Sequence, residues 1–182
     1  MNNELLRPFQ ALEVHEALNQ MESSSAPSPD GLPPMFYKQY WSKVGTKVST
    51  SVLSILNLGI LPPDLNHIFI TLIPKIKSPR NVTDFHPISL INVLYKLITK
   101  VLANCVKKFL PQLISETQSA FLSDTLIIDN ILIAHETLHY LKVRRQGKMG
   151  LMVLKLDMSK AYDWVEWEYL EKIISKMGFS QR

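Results

Sequence analysis

The longest regular pattern in the chain runs from Pro87 to Leu110 and leaves little choice about what that stretch can become. Ile88, Ile91, Leu94, Ile98, Val101, Leu102 and Val106 recur with a period of about 3.6. This predicts one long helix with an apolar face, with Pro87 in its first turn, where the missing N–H does no harm. The opposite face is basic. Asn92, Lys96, Lys100 and Lys107 fall in a sector roughly 80° wide when successive residues turn by 100°.

Other elements follow from shorter signals. Residues 8–22 read as a helix with Leu12, Val14, His15 and Leu18 on a loose apolar face, and residues 23–34, rich in Ser, Pro and Gly, break it. Two short helices are predicted around 34–44 and 46–58, the second stopped by Gly59. HIFITLIPK, residues 67–75, is β-branched and predicts a strand, whose unbroken apolarity predicts burial on both faces. Residues 126–142 predict another helix, 151–156 a strand ending at Asp157, and roughly 162–177 a helix closed by Gly178. The class is α+β, with helices dominant.

Charge is placed unevenly. Residues 75–108 hold seven Lys and Arg against one acid, Asp84, and residues 142–148 hold four more, Arg144 and Arg145 among them. Residues 109–140 carry four acids and no Lys or Arg. Two basic blocks favour a polyanionic partner; a solvated basic face is the alternative. A hydrophobic share of 46% with 20% charged residues excludes a disordered chain. The single cysteine, Cys105, lies in an apolar helical pattern as a small core residue, and it excludes a disulfide framework. No run of 18 apolar residues and no secretory leader is present. These features predict a soluble intracellular protein without a membrane partner, and do not separate nucleus from cytoplasm.

Two chemical signals compete. His135-Glu136-Thr137-Leu138-His139 is a literal H-E-x-x-H, the spacing that sets two imidazoles on one helix face to bind zinc. A zinc hydrolase also needs a third ligand. No histidine follows His139, and the later glutamates, Glu166, Glu168 and Glu171, sit on another amphipathic helix. The second signal is Asp157. A carboxylate at the end of a strand is a candidate ligand for Mg²⁺, a hard cation that prefers oxygen, and a helix N-cap is the alternative role. Two-metal phosphoryl transfer needs two or three such carboxylates around ions about 3.5–4 Å apart. Asp163, six residues on, points away from Asp157 once a helix has begun.

Five segments in order resolve the competition: SPDGLPPMFYKQYW (28–41), LIPKIKSP (72–79), DFHPISLINVLYKLITKVLANCVKKFLPQLISETQSAF (84–121), DNILIAHE (129–136) and LKLDMSKAYDWVEW (154–167). Together they resemble the reverse transcriptase of plant LINE-type (non-LTR) retrotransposons over nearly the whole chain. The resemblance implies a right-hand polymerase architecture. Residues 1–25 would be an N-terminal helix and linker, 26–150 mostly helical fingers, and 151–182 the first strand and helix of an incomplete palm. It implies that Asp157 is the first catalytic, metal-binding carboxylate and that Tyr162 lies under the incoming sugar and crowds a 2′-hydroxyl. Lys75 would meet the triphosphate as a point charge. Lys96, Lys100, Lys107, Arg144 and Arg145 would contact template and primer backbones, with the salt sensitivity that phosphate contacts carry. An RNA template, a DNA primer, a dNTP and Mg²⁺ are the implied partners of the complete enzyme.

The departures lower the positive charge of the nucleotide site. His86 stands where the family reads arginine, and a mostly neutral imidazole cannot make a bidentate phosphate contact. Asp124 and Thr125 replace a glycine and an arginine, and Trp164 replaces another arginine. The family's aromatic-Ala-Asp-Asp turn has no counterpart, because the chain contains no Asp-Asp. The expectation is therefore an RNA-directed DNA polymerase domain that does not polymerise alone and exposes an apolar palm edge prone to aggregation. The rival is a non-catalytic retroelement remnant that binds nucleic acid weakly; the zinc hydrolase comes third.

Overall fold

The computed structural model describes residues 1–25, 30–115, 117–120, 122, 126–144, 150–158 and 164–180. Packing divides the chain into two units, Arg7–Val106 and Met1–Leu6 with Lys107–Arg182.

The unit Arg7–Val106 holds the core. Helix α1 (Asn2–Leu5) precedes it, and α2 spans Ala11–Asn19, shorter than the expected 8–22. Arg7 explains the late start: its guanidinium pairs with both carboxylate oxygens of Glu13, at 2.7 and 3.1 Å. Glu13 Oε2 also accepts the Gln10 N–H at 2.9 Å, closing a capping box ahead of the first turn. Helices α3 (Pro34–Gln39) and α4 (Trp41–Leu58) follow almost without a break, and Gly59 ends α4 as expected, at φ 72°. The Phe9 N–H donates to Asn57 Oδ1 at 2.9 Å, which ties the start of α2 to the last turn of α4.

Val14, Ala17 and Leu18 of α2, Tyr37 of α3, and Val48 and Val52 of α4 form one buried core with Val93, Leu97, Ile98 and Val101 on one face of α5, Val93–Lys107. Leu18, Leu97, Val14, Val52, Val93 and Val101 are fully buried, each contributing roughly 1.5–3 kcal/mol. Cys105 is buried, as its place in the pattern predicted.

The expected helix from Pro87 is corrected at its N-terminal end. Strand β2, Phe85–Leu90, occupies that stretch and pairs antiparallel with β1, Phe69–Pro74, with Leu72 opposite Pro87. Proline drives the residue before it into extended backbone, and here a partner strand lies ready to use that geometry. Starting at Val93, α5 turns Val93, Leu97, Ile98, Val101 and Cys105 inward, while Leu102 is exposed and Ile88 belongs to the strand. Burial of β1 on both faces is also corrected. All six of its residues are exposed, because the sheet has two strands and nothing among the described residues covers either face.

In the second unit, α6 (Leu110–Leu113) is followed by α7, Ile127–Val143, close to the expected 126–142. Asp129 Oδ2 accepts the Leu126 N–H at 3.2 Å and sets the start of α7. None of the described residues of α7 is buried. The expected strand 151–156 does not form: residues 150–158 are irregular and exposed, and pair with no strand among the described residues. An apolar run becomes a strand only with a neighbour to take its backbone donors and acceptors. Helix α8 covers Trp167–Lys176, and Gly178, at φ 87°, closes it with its N–H on the Ser175 carbonyl. Residues 162 and 163, where this helix was expected to begin, lie outside the described residues. No helix among the described residues is long and apolar enough to cross a membrane.

Candidate nucleotide and nucleic-acid interface

The β1–β2 hairpin gathers two of the residues singled out in the sequence. Ile73 stands opposite His86 in the ladder, so by strand alternation His86 shares a face with Ile73 and with Lys75 two residues on. Both Lys75 and His86 are exposed. The Lys75 N–H donates to the Asp84 carbonyl at 2.8 Å, extending the ladder one step past Pro74, and the Lys75 ammonium donates to the Thr83 carbonyl at 3.1 Å.

Between these ends runs a basic turn carrying Lys77 and Arg80, both exposed. Asp84 organises it. Its Oδ2 accepts the N–H groups of Arg80 and Asn81, each at 2.9 Å, and its own N–H donates to the Asn81 carbonyl at 3.0 Å, winding Val82–Asp84 into a 3₁₀ turn. The N–H groups of Asn81 and Arg80 hold the Asp84 carboxyl below the usual aspartate range, and the Lys75 ammonium acts in the same direction. In the sequence, Asp84 stands out only as the lone acid among cations. The signal for its role was the spacing Asn81-Val82-Thr83-Asp84, a capping-box pattern in miniature.

Lys96, Lys100 and Lys107 lie on α5, away from its buried face; Lys96 and Lys100 are half-buried and Lys107 is exposed. Half-burial fits lysine stems lying along the helix with their ammonium groups in water. Arg144 caps the C-terminal end of α7, its N–H on the Tyr140 carbonyl at 2.9 Å. Arg145 and Tyr162 lie outside the described residues.

Asp157 is exposed and makes no hydrogen bond or ion pair among the described residues. No group of three His, Cys, Asp or Glu side chains among the described residues converges to hold a metal ion. The described residues therefore do not fit a complete divalent-ion site: Asp157 offers one carboxylate. The same finding weighs against the zinc reading, since His135 and His139 share a turn of α7 without a third ligand beside them among the described residues.

Comparison with known proteins bears on what these residues are for. Residues 73–182, which include the hairpin turn, the basic helix and Asp157, match the family of reverse transcriptases (RNA-dependent DNA polymerases). The chain is 29% identical over 172 residues to the Transposon TX1 uncharacterized 149 kDa protein of Xenopus laevis, an alignment covering 94% of this chain and 13% of that protein. It is 24% identical over 169 residues to the retrovirus-related Pol polyprotein from type-2 retrotransposable element R2DM of Drosophila melanogaster, covering 90% of this chain and 15% of that protein. One relative is named for a transposon and the other for a retrotransposable element, in line with the retroelement class to which the ordered motifs pointed. The chain thus spans less than a sixth of either relative's length. Members of the matched family use divalent metal ions and bind a nucleic-acid template and primer. With its small antiparallel sheet, its helical core and its ordered motifs, the chain belongs to the reverse transcriptase (RNA-dependent DNA polymerase) family.

Proposed function

We propose that this chain supplies the fingers, residues 26–150, and the beginning of the palm, from residue 151, of an intracellular retroelement polymerase that copies an RNA template from a DNA primer. The observation that carries the reading is the family match across residues 73–182, which takes in both the Lys75 end of the hairpin and Asp157. Lys75 meets the triphosphate of the incoming dNTP as a point charge, with His86 as a weaker neighbour on the same face. Tyr162 crowds the 2′-hydroxyl. Lys96, Lys100, Lys107, Arg144 and Arg145 take template and primer phosphates. Asp157 gives one ligand to a Mg²⁺ site and needs further carboxylates beside it, which the 182 residues do not bring together among the described residues.

That shortfall favours a second reading, in which these 182 residues bind nucleic acid and do not extend a primer. Two measurements on the protein test whether it binds nucleic acid and whether it extends a primer by itself. Fluorescence anisotropy with a single-stranded RNA oligonucleotide should show binding that weakens steeply with salt, and primer extension with Mg²⁺ and dNTPs should show no incorporation. Incorporation that disappears in Asp157→Asn would instead establish polymerase activity in this chain. RNA binding unaltered in a Lys96→Ala/Lys100→Ala/Lys107→Ala variant would remove the helical stripe from the interface.

A further inference from the structure

We propose that Asp84 is the positioning residue of the hairpin: it holds the Lys75 ammonium and the 75–84 turn in a shape that receives a polyphosphate. The inference rests on the reading of Lys75 as the triphosphate contact.

The geometry makes Asp84 the common anchor of the turn. Its carbonyl takes the Lys75 N–H at 2.8 Å, its Oδ2 takes the Arg80 and Asn81 N–H groups at 2.9 Å, and its N–H reaches the Asn81 carbonyl at 3.0 Å. Thr83, whose carbonyl receives the Lys75 ammonium at 3.1 Å, immediately precedes it. One residue thus fixes the backbone of Lys75, the carbonyl that aims its side chain, and the segment carrying Arg80. The carboxylate is spent on backbone donors rather than on an ion pair with a loop cation, so Lys75, Lys77 and Arg80 keep their charge for an outside anion.

Electrostatics alone and positioning predict opposite signs. As a mere negative charge among cations, Asp84 would repel a polyphosphate, and its removal would tighten binding. As the anchor of the turn, its loss lets the cations scatter, and binding weakens. Asparagine separates the two roles, because its side-chain oxygen accepts a backbone N–H about as well as aspartate does at a capping position.

The test is calorimetric binding of inorganic triphosphate to the full chain and its variants, with a thermal melt to confirm folding. Asp84→Ala, which removes both backbone contacts of the carboxylate, should bind about fivefold more weakly, the typical cost of replacing a capping residue by alanine. Asp84→Asn should bind at least as tightly as the parent. Asp84→Glu, which keeps the charge but sets the carboxylate one methylene further out, should weaken binding, and it decides the matter if the alanine variant does not fold. An alanine or glutamate variant that folds and binds as tightly as the parent overturns the proposal. Lys75→Ala separates the two levels: if it leaves triphosphate binding unchanged, the reading of Lys75 itself falls. If it weakens binding while Asp84→Ala and Asp84→Glu do not, only the positioning role falls.

Discussion

The imidazole of His15 lies over the indole of Trp41, ring centroids 5.0 Å apart and planes within 10° of parallel. The pair joins α2 to the first turn of α4, and the indole can lie against that helix only because residue 45 is glycine. A Cβ there would stand 2.7 Å from Trp41 Cε2. Alanine in place of glycine in a helix ordinarily stabilises by about 1 kcal/mol. Here Gly45→Ala should instead destabilise, by roughly 1–3 kcal/mol, as overpacking of a filled site does. Urea melts of Gly45→Ala with and without Trp41→Leu check this. Recovery in the double variant is expected, and a single variant more stable than the parent would contradict the clash.

Lys38 closes the C-terminal end of α2 from the neighbouring helix. Its ammonium donates to the carbonyls of Asn19 and Met21, at 3.2 and 2.6 Å, and to Ser23 Oγ at 3.2 Å. A cation at the negative end of a helix dipole gains from both the hydrogen bonds and the field. Lys38→Met should keep the aliphatic packing and cost about 1–2 kcal/mol, read as a lower urea midpoint with an unchanged slope. A midpoint equal to the parent's would show that water replaces the ammonium at no cost.

Acid should loosen the hairpin turn before it touches the core. The Asp84 carboxyl is held below its ordinary range chiefly by the N–H groups of Asn81 and Arg80. Because the folded pKa is depressed, the stabilisation is fully present above the unfolded aspartate pKa. It is lost as pH falls through the lowered folded value. The NMR titration of the Asp84 side-chain carbonyl should therefore have its midpoint below that of an unstructured peptide of the same local sequence. Equal midpoints would mean that the two N–H contacts do not persist in water.

Self-association should be the protein's dominant behaviour at high concentration. Along α7, Ile127, Ile128, Ile131, Leu132 and Ile133 are exposed, and in the irregular segment 150–158 Met152 and Leu156 are 86% and 83% exposed. Contiguous apolar surface of this kind drives association. Light scattering should rise with protein concentration, and Ile131→Lys/Leu156→Lys should lower it. A monomer that scatters no more than its lysine variant would place other residues over these faces.

The helices that form the core were legible because their apolar period is long enough to be unambiguous, and because Gly59 marks the end of α4; outside the core, Gly178 marks the end of α8 in the same way. Pro87 misled because proline suits two incompatible places, the first turn of a helix and an extended segment. Only the nearby partner 69–74 decides between them, and pairing is not a local property. The run 151–156 misled for the related reason that strand propensity is unrealised without a neighbour. Lys75 and His86 were found by motif and do share a hairpin. Asp84 went unnoticed because its chemistry is directed at backbone N–H groups, which a reading of side chains overlooks.

Opposing Leu72 to Pro87 gives the hairpin unequal margins. The Lys75–Asp84 bond sets the phase of the ladder, so Ile70, Leu72 and Pro74 on β1, and Phe85, Pro87 and Ser89 on β2, turn their main-chain groups outward. On the β1 margin, Ile70 and Leu72 each offer an N–H. On the β2 margin Pro87 has none and the Phe85 N–H is already given to Val82, so Ser89 alone remains. Growth of this sheet by a further strand is thus directional, favoured alongside β1 and obstructed alongside β2.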